Sequence, residues 1–89
     1  MSVYMISYDL KAPTNNRGKV EEDIKSLGLY CKYLTTTFLV KSSLSTGEVE
    51  KQATKNLDNN DTMIICKTVD PIGGWLTEDQ LKWIKENLY

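Results

Sequence analysis

The sequence predicts an α+β domain in which strands and helices follow one another as β-α-β-β-α-β, with one further helix at the C-terminal end. Three observations carry this expectation. VYMISYDL (residues 3 to 10) and TMIICKTV (residues 62 to 69) are apolar on both parities, the pattern of central strands covered on two faces. Leu29 to Leu34 and Thr36 to Lys41 are rich in Tyr, Thr, Phe and Val, as strands are. The remaining segments carry apolar residues at helical spacing, two of them behind a Ser or Thr placed three residues ahead of a Glu or Gln.

Taken in order, the first strand ends at Asp9-Leu10 and runs into KAPTNN, where Pro13 and two asparagines make a loop. Val20, Ile24 and Leu27 then stand at i, i+4 and i+7 ahead of Gly28, which predicts an amphipathic helix with a glycine stop. The two strand-like segments that follow are a hairpin, although no Gly, Pro or Asn marks its turn. Ser45 and Glu48 have capping-box spacing and open a helix with Val49, Ala53 and Leu57 on one stripe, ending in the turn formers DNND. The last strand is broken by Asp70-Pro71 and Gly73-Gly74. Thr77 and Gln80 form a second capping box, with Leu76 and Leu81 as a hydrophobic staple and Leu81, Ile84 and Leu88 as the buried stripe.

This order is the ferredoxin-like arrangement, an antiparallel sheet with two helices on one face. At 89 residues it is a single domain, and a chain of that size buries only about 60–65% of the surface it exposes unfolded, so a partner that covers more surface has much to add. If Ile6, Tyr8, Phe38, Val40 and Ile64 face the helices, then Met5, Ser7, Asp9, Thr37, Leu39, Lys41, Met63, Ile65 and Lys67 face away. Such an open face is too apolar for water and reads as a homodimer interface.

Composition excludes several chemistries. There is no histidine and no paired-cysteine motif, so a structural zinc site and histidine-based acid–base catalysis are both ruled out. Cys31 and Cys66 read as buried reduced thiols. The formal net charge of -1 argues against a nonspecific coat on duplex DNA. Within the first half, however, Lys11, Arg17, Lys19, Lys25, Lys32 and Lys41 outnumber Asp9, Glu21, Glu22 and Asp23, which leaves room for a local basic surface. With no signal peptide and no long apolar run, the expectation is a soluble cytoplasmic protein with no membrane contact.

Several stretches together resemble a known family. These are ISYDL with Tyr8-Asp9 at a strand end, Arg17 and Lys19-Val20 opening a helix, Gly28 closing it, TTTFLV after a short hairpin, Leu44-Ser45 at the second helix and NDTMIICKT as the last strand. Over residues 3 to 69 the chain is similar to the small CRISPR-associated adaptation subunit (Cas-two) and its Cas-two-like relatives. The resemblance implies a ferredoxin-like homodimer packed through its open sheet face. It also implies that Asp9, one from each subunit, is the residue of a metal-dependent nuclease using Mg²⁺ or Mn²⁺. Two features depart from the family pattern. Thr35-Thr36-Thr37 lacks the polar and basic residues that precede the Phe in the family, and a Gly-Gly-Trp turn and a helix stand where the family carries an extra strand swapped onto the partner.

Candidate site residues follow from both lines of reading. Asp9 is a catalytic or metal-binding carboxylate, or else a strand-end cap or interface residue. Lys41 and Lys67 share its face by parity, to pair with it or to meet a phosphate. Arg17 and Lys19, beside Asn15 and Asn16, open a helix whose free amides favour anions, a place where asparagine also serves simply as N-cap. Tyr8 and Trp75, with Tyr4, Tyr30 and Tyr33, are aromatics able to stack on bases or to fill the core. Trp75 stands out because it follows two glycines.

The expected function is binding of a phosphate-bearing ligand, nucleic acid or a small nucleotide, by a Cas-two-like homodimer without efficient catalysis. The alternatives are a metal-dependent phosphodiesterase or endonuclease built on paired Asp9 residues, and a small phage-type inhibitor that sequesters a nucleotide signal.

Overall fold

The computed structural model describes residues 1–11, 16–69 and 73–88. The expected loop at Pro13 and Asn15 and the break at Asp70-Pro71 lie outside the described residues. Seven elements follow in order: β1 (Ser2–Asp9), α1 (Arg17–Lys25), β2 (Leu29–Leu34), β3 (Thr37–Ser42), α2 (Thr46–Ala53), β4 (Thr62–Thr68) and α3 (Glu78–Asn87). The strands form one open antiparallel sheet in the order β2-β3-β1-β4, so β1 is central and β2 and β4 are the edges.

The two faces of this sheet are covered differently. Tyr4, Ile6 and Tyr8 of β1 and Phe38 and Val40 of β3 form one cluster with Val20 and Ile24 of α1 and Val49 and Ala53 of α2. Ile6, Val20, Ile24, Phe38, Val40 and Val49 are fully buried there, and burying each side chain stabilises the fold by about 1.5–3 kcal/mol before entropy is counted. On the opposite face Val3 and Leu39 pack against Ile84 of α3, with Tyr33, Leu76, Trp83 and Leu88 around them. The expectation of a bare second face is therefore corrected, because α3 lies on part of it. The stripe of α3 is corrected too: Ile84 is buried and Trp83 meets Tyr33 edge to face at 6.4 Å, whereas Leu81 is exposed.

Strand β4 reverses the predicted parity. Met63 stands opposite Tyr8 and Ile65 opposite Ile6, so both lie on the α1–α2 face, while Ile64 stands opposite Ser7 on the second face and is 60% exposed. Lys67, opposite Tyr4, moves with Met63 and Ile65. Both parities of this strand are apolar, so alternation within it could not choose between them.

The helix starts at Ser45 and Thr77 are capping boxes, as predicted. Each hydroxyl accepts from the backbone N–H three residues on, and the Glu48 and Gln80 side chains return to the N–H of Ser45 and Thr77, both at 3.0 Å. Helix α1 ends at Ser26, whose N–H reaches the Glu22 carbonyl. The hairpin turns at Thr35-Thr36, and its register shifts between Lys32 and Leu34. Cys31 and Cys66 are free and half-buried rather than buried, on opposite edge strands about 14 Å apart by strand spacing, too far to bridge. No helix among the described residues is long and apolar enough to cross a membrane.

Gly28 links α1 to β2 where the chain runs against β3. A Cβ there would fall on the carbonyl oxygen of Lys41, and that oxygen belongs to backbone that cannot step aside without disturbing the β2–β3 pairing. Gly28→Ala is therefore expected to destabilise the fold by about 1–3 kcal/mol, the range for overpacking. Urea denaturation checks this, and Gly18→Ala, which meets nothing within 4 Å, serves as control.

Candidate functional site

The end of β1 nearest α1 brings together more of the expected site residues than any other region. Asp9 is the last residue of the strand, paired with Thr62 of β4, and its carboxylate lies 2.7 Å from the Lys11 ammonium. Both side chains are mostly exposed. The hydrogen bond that Lys11 donates to Asp9, followed by the carboxylate's charge, raises the pKa of Lys11 above the ordinary lysine value. The Lys11 backbone N–H donates to Asp61 at 2.9 Å, and the other Asp61 oxygen accepts from Asp58 N–H, so Asp61 fastens the exit of β1 to the loop before β4. Ser7, Tyr8, Asp9, Thr62, Met63 and Ile64 line a shallow recess of about 250 Å³ here. Among the described residues no group of three or more Cys, Asp or Glu is gathered as metal ligands would be.

Across the sheet, on the α1 side, Tyr8 donates its hydroxyl to Glu21 at 3.2 Å, and the same carboxylate oxygen takes Lys32 at 2.8 Å. Burial first, and then the Glu21 charge, push the Tyr8 hydroxyl up to about 12, against the opposing influence of Arg17. The phenol is thus a neutral donor at ordinary pH. Arg17 opens α1 and reaches the Thr35 carbonyl at 3.4 Å, spanning from the helix to the hairpin turn. Glu21 stands one turn after Arg17, and Lys32 shares the face of Phe38, over whose ring its ammonium sits at 5.7 Å.

The other expected residues are dispersed. Lys19 is exposed on α1. Lys41 pairs with Val3, and Lys67 with Tyr4, at the start of β1. Asp9 lies six residue steps along the strand from Val3, about 20 Å, so neither lysine reaches that carboxylate, and Lys67 lies on the other face as well. Trp75 is fully exposed beside an apolar groove of about 540 Å³ on the second face, lined by Met5, Leu34, Leu39, Leu76 and Ile84. The expectation that it packs into the core is corrected, and it remains available to a partner or ligand. Tyr4 is core, its hydroxyl held by the Leu44 carbonyl at 2.7 Å. Tyr33 is bound to Gln80, and Tyr30 is partly exposed under Lys25.

Glu21, Lys32 and Asp61 were missed. The i, i+4 spacing of Arg17 and Glu21 on one helix face was a usable signal for the first. Lys32 and Asp61 depend on contacts between elements and had none. The chain matches no family model and no curated protein with which it was compared.

Two predictions come from this geometry. The carboxyl of Glu21 is held below the usual range chiefly by its hydrogen bond from Lys32, with partial burial working in the opposite direction. A carboxyl whose folded value lies below its unfolded 4.5 contributes stability that is complete above 4.5 and disappears as pH falls through the folded value. Glu21→Gln should thus cost about 1 kcal/mol near neutral pH, reduced from the full charged-bond range because Lys32 is partly exposed. The gap from wild type should close in acid, as urea titrations at the two pH values will read. Asp9→Asn removes a solvent-exposed ion pair and should leave the melting temperature unchanged. Assays with Mn²⁺ and RNA or DNA are expected to show no cleavage that depends on Asp9; efficient cleavage lost in Asp9→Asn would decide for the nuclease alternative.

Proposed function

We propose that the chain is a ferredoxin-like, Cas-two-like homodimer that binds a phosphate-bearing ligand, nucleic acid or a small nucleotide, without efficient catalysis. The fold assignment is supported by two interleaved β-α-β units: β3 lies between β1 and β2, and β1 lies between β3 and β4. The observation that carries the ligand reading is Arg17. Among the described residues it makes no ion pair, and the groups it meets, the Thr35 carbonyl at 3.4 Å and the Tyr8 phenol, are neutral, so its charge remains available to an anion. Its surroundings agree. Lys19 lies two residues on, and α1 has no acidic residue in its first turn and no side-chain cap from Asn16.

Binding without efficient chemistry fits the Asp9 carboxylate being satisfied by Lys11 within its own chain, with Lys41 and Lys67 far away. Self-association fits the apolar side chains left exposed on the second face, Met5, Leu34, Ile64 and Trp75. The test is titration with a fluorescent single-stranded oligonucleotide and, separately, with a nucleoside triphosphate, at low and high salt. Affinity should fall as salt rises, and replacing Arg17 and Lys19 together by Ala should weaken binding and flatten the slope by about one unit for each lost contact. Salt-independent affinity would sink the phosphate-centred reading.

A further inference from the structure

The two edges of the sheet are built differently. At β2 the ladder is irregular between Lys32 and Leu34, and α3 folds over the strand. Gln80 donates to the carbonyls of Tyr33 at 3.0 Å and Lys32 at 3.4 Å, while the Tyr33 hydroxyl returns to the Gln80 carbonyl at 2.7 Å. A bulge and a covering helix are the means by which an edge is withdrawn from pairing. Strand β4 has neither. It runs regularly from Thr62 to Thr68, carries no proline and has a single charge, Lys67.

The backbone groups that β4 turns outward can be read from its neighbours. Tyr8 N–H donates to the Thr36 carbonyl at 3.1 Å, so Tyr8, and with it Ile6 and Tyr4, directs its peptide groups toward β3. Val3, Met5, Ser7 and Asp9 then face β4, in keeping with the Thr68 hydroxyl bonding to the Val3 carbonyl. Opposite them stand Thr68, Cys66, Ile64 and Thr62. The N–H and C=O groups of Met63, Ile65 and Lys67 therefore point away from the sheet, and among the described residues nothing is bonded to them.

We propose that two copies of this chain join along β4, antiparallel about a two-fold axis at Ile65, into one continuous sheet. This rests on the homodimer reading above, but places the contact at the sheet edge and not on the second face. An axis through an outward-facing residue makes hydrogen-bonded pairs from outward groups alone, and Ile65 is the middle of the strand, so the overlap is complete. Ile65 then meets Ile65 of the second copy, and Met63 meets Lys67, so the one charge on the strand faces an unbranched apolar side chain and not its own kind. On the second face exposed Ile64 lies beside Cys66 of the other copy, and the apolar surface continues across the junction.

The register can be tested with thiols. Ile64 and Cys66 of the two copies form a non-hydrogen-bonded pair, the closer kind, within disulfide reach. In a background of Cys31→Ser, chains carrying Ile64→Cys with Cys66→Ser are mixed with chains that keep Ile64 and Cys66, and a mild oxidant is added. A covalent dimer is expected in the mixture and in neither preparation alone. In parallel, Lys67→Pro removes an outward N–H without touching the β1 ladder, as an edge strand tolerates. It should weaken dimerisation at least about tenfold in sedimentation while leaving the far-ultraviolet spectrum unchanged. A wild-type dimer that gives no cross-link in the mixture would overturn the edge contact and leave the homodimer reading standing. A monomeric wild type would overturn both, and the oligonucleotide titration would still report separately on ligand binding.

Discussion

Strand β1 is hydrogen-bonded on both sides, so its two-residue pleat decides what every other element can cover. Its even positions, Tyr4, Ile6 and Tyr8, lie under α1 and α2, and its odd position Val3 lies under α3. The two tyrosines hold this choice in place. A buried phenol needs a partner for its hydroxyl, and in this register Tyr4 reaches the Leu44 carbonyl and Tyr8 reaches Glu21. A slip of one residue would turn both rings to the face that α3 occupies and bring Met5 and Ser7 into the main core, exchanging two satisfied aromatics for a smaller set that fills less volume.

How much of this was legible in the sequence depends on whether a feature is local. Capping boxes are local, and Ser45–Glu48 and Thr77–Gln80 stand where their spacing put them. The parity of β4 is not local, since Met63 with Ile65 and Ile64 with Cys66 are equally apolar and only the pairing with β1 separates them. The docking of α3 is likewise decided elsewhere: Trp83 offers more area than Leu81 and finds Tyr33 on β2. Of the candidate site, Tyr8 and Arg17 were recoverable because they flank one β-to-α connection. The separation of Lys41 and Lys67 from Asp9 follows from antiparallel pairing, in which the late residues of β3 and β4 stand beside the first residues of β1. Shared parity alone could not show that.

At the end of β1 the charges sort themselves into two pairs with a remainder. Lys11 satisfies Asp9 on the outside, and Lys32 satisfies Glu21 beside the buried phenol. What remains is Arg17 and Lys19 at the start of a helix, a position where positive side chains work against the helix dipole. The other two helices carry acids in their first turns and side-chain caps. A bound anion would offset the mismatch at α1, and so the local cost of that sequence and a binding role for it have the same physical origin.

Gln80 connects the edge of the sheet to its second face. One end of its amide accepts from Thr77 N–H and starts α3, and the other end donates to the carbonyls of β2. Closing that edge is thus coupled to docking the helix, and the hydroxyl of Tyr33 reinforces both by returning to the helix backbone. This asymmetry bears on the kind of assembly the sheet can form. Two open edges on each chain would allow head-to-tail addition of further copies, which does not close and grows into fibres. With the Lys32–Tyr33 end of β2 engaged by α3, that edge is less open to strand pairing than β4, and pairing of β4 with its own copy about a two-fold axis, as proposed, would leave no open β4 edge on either chain. In the proposed pair, the device that fixes α3 on the sheet would therefore also work against further growth from the β2 edge.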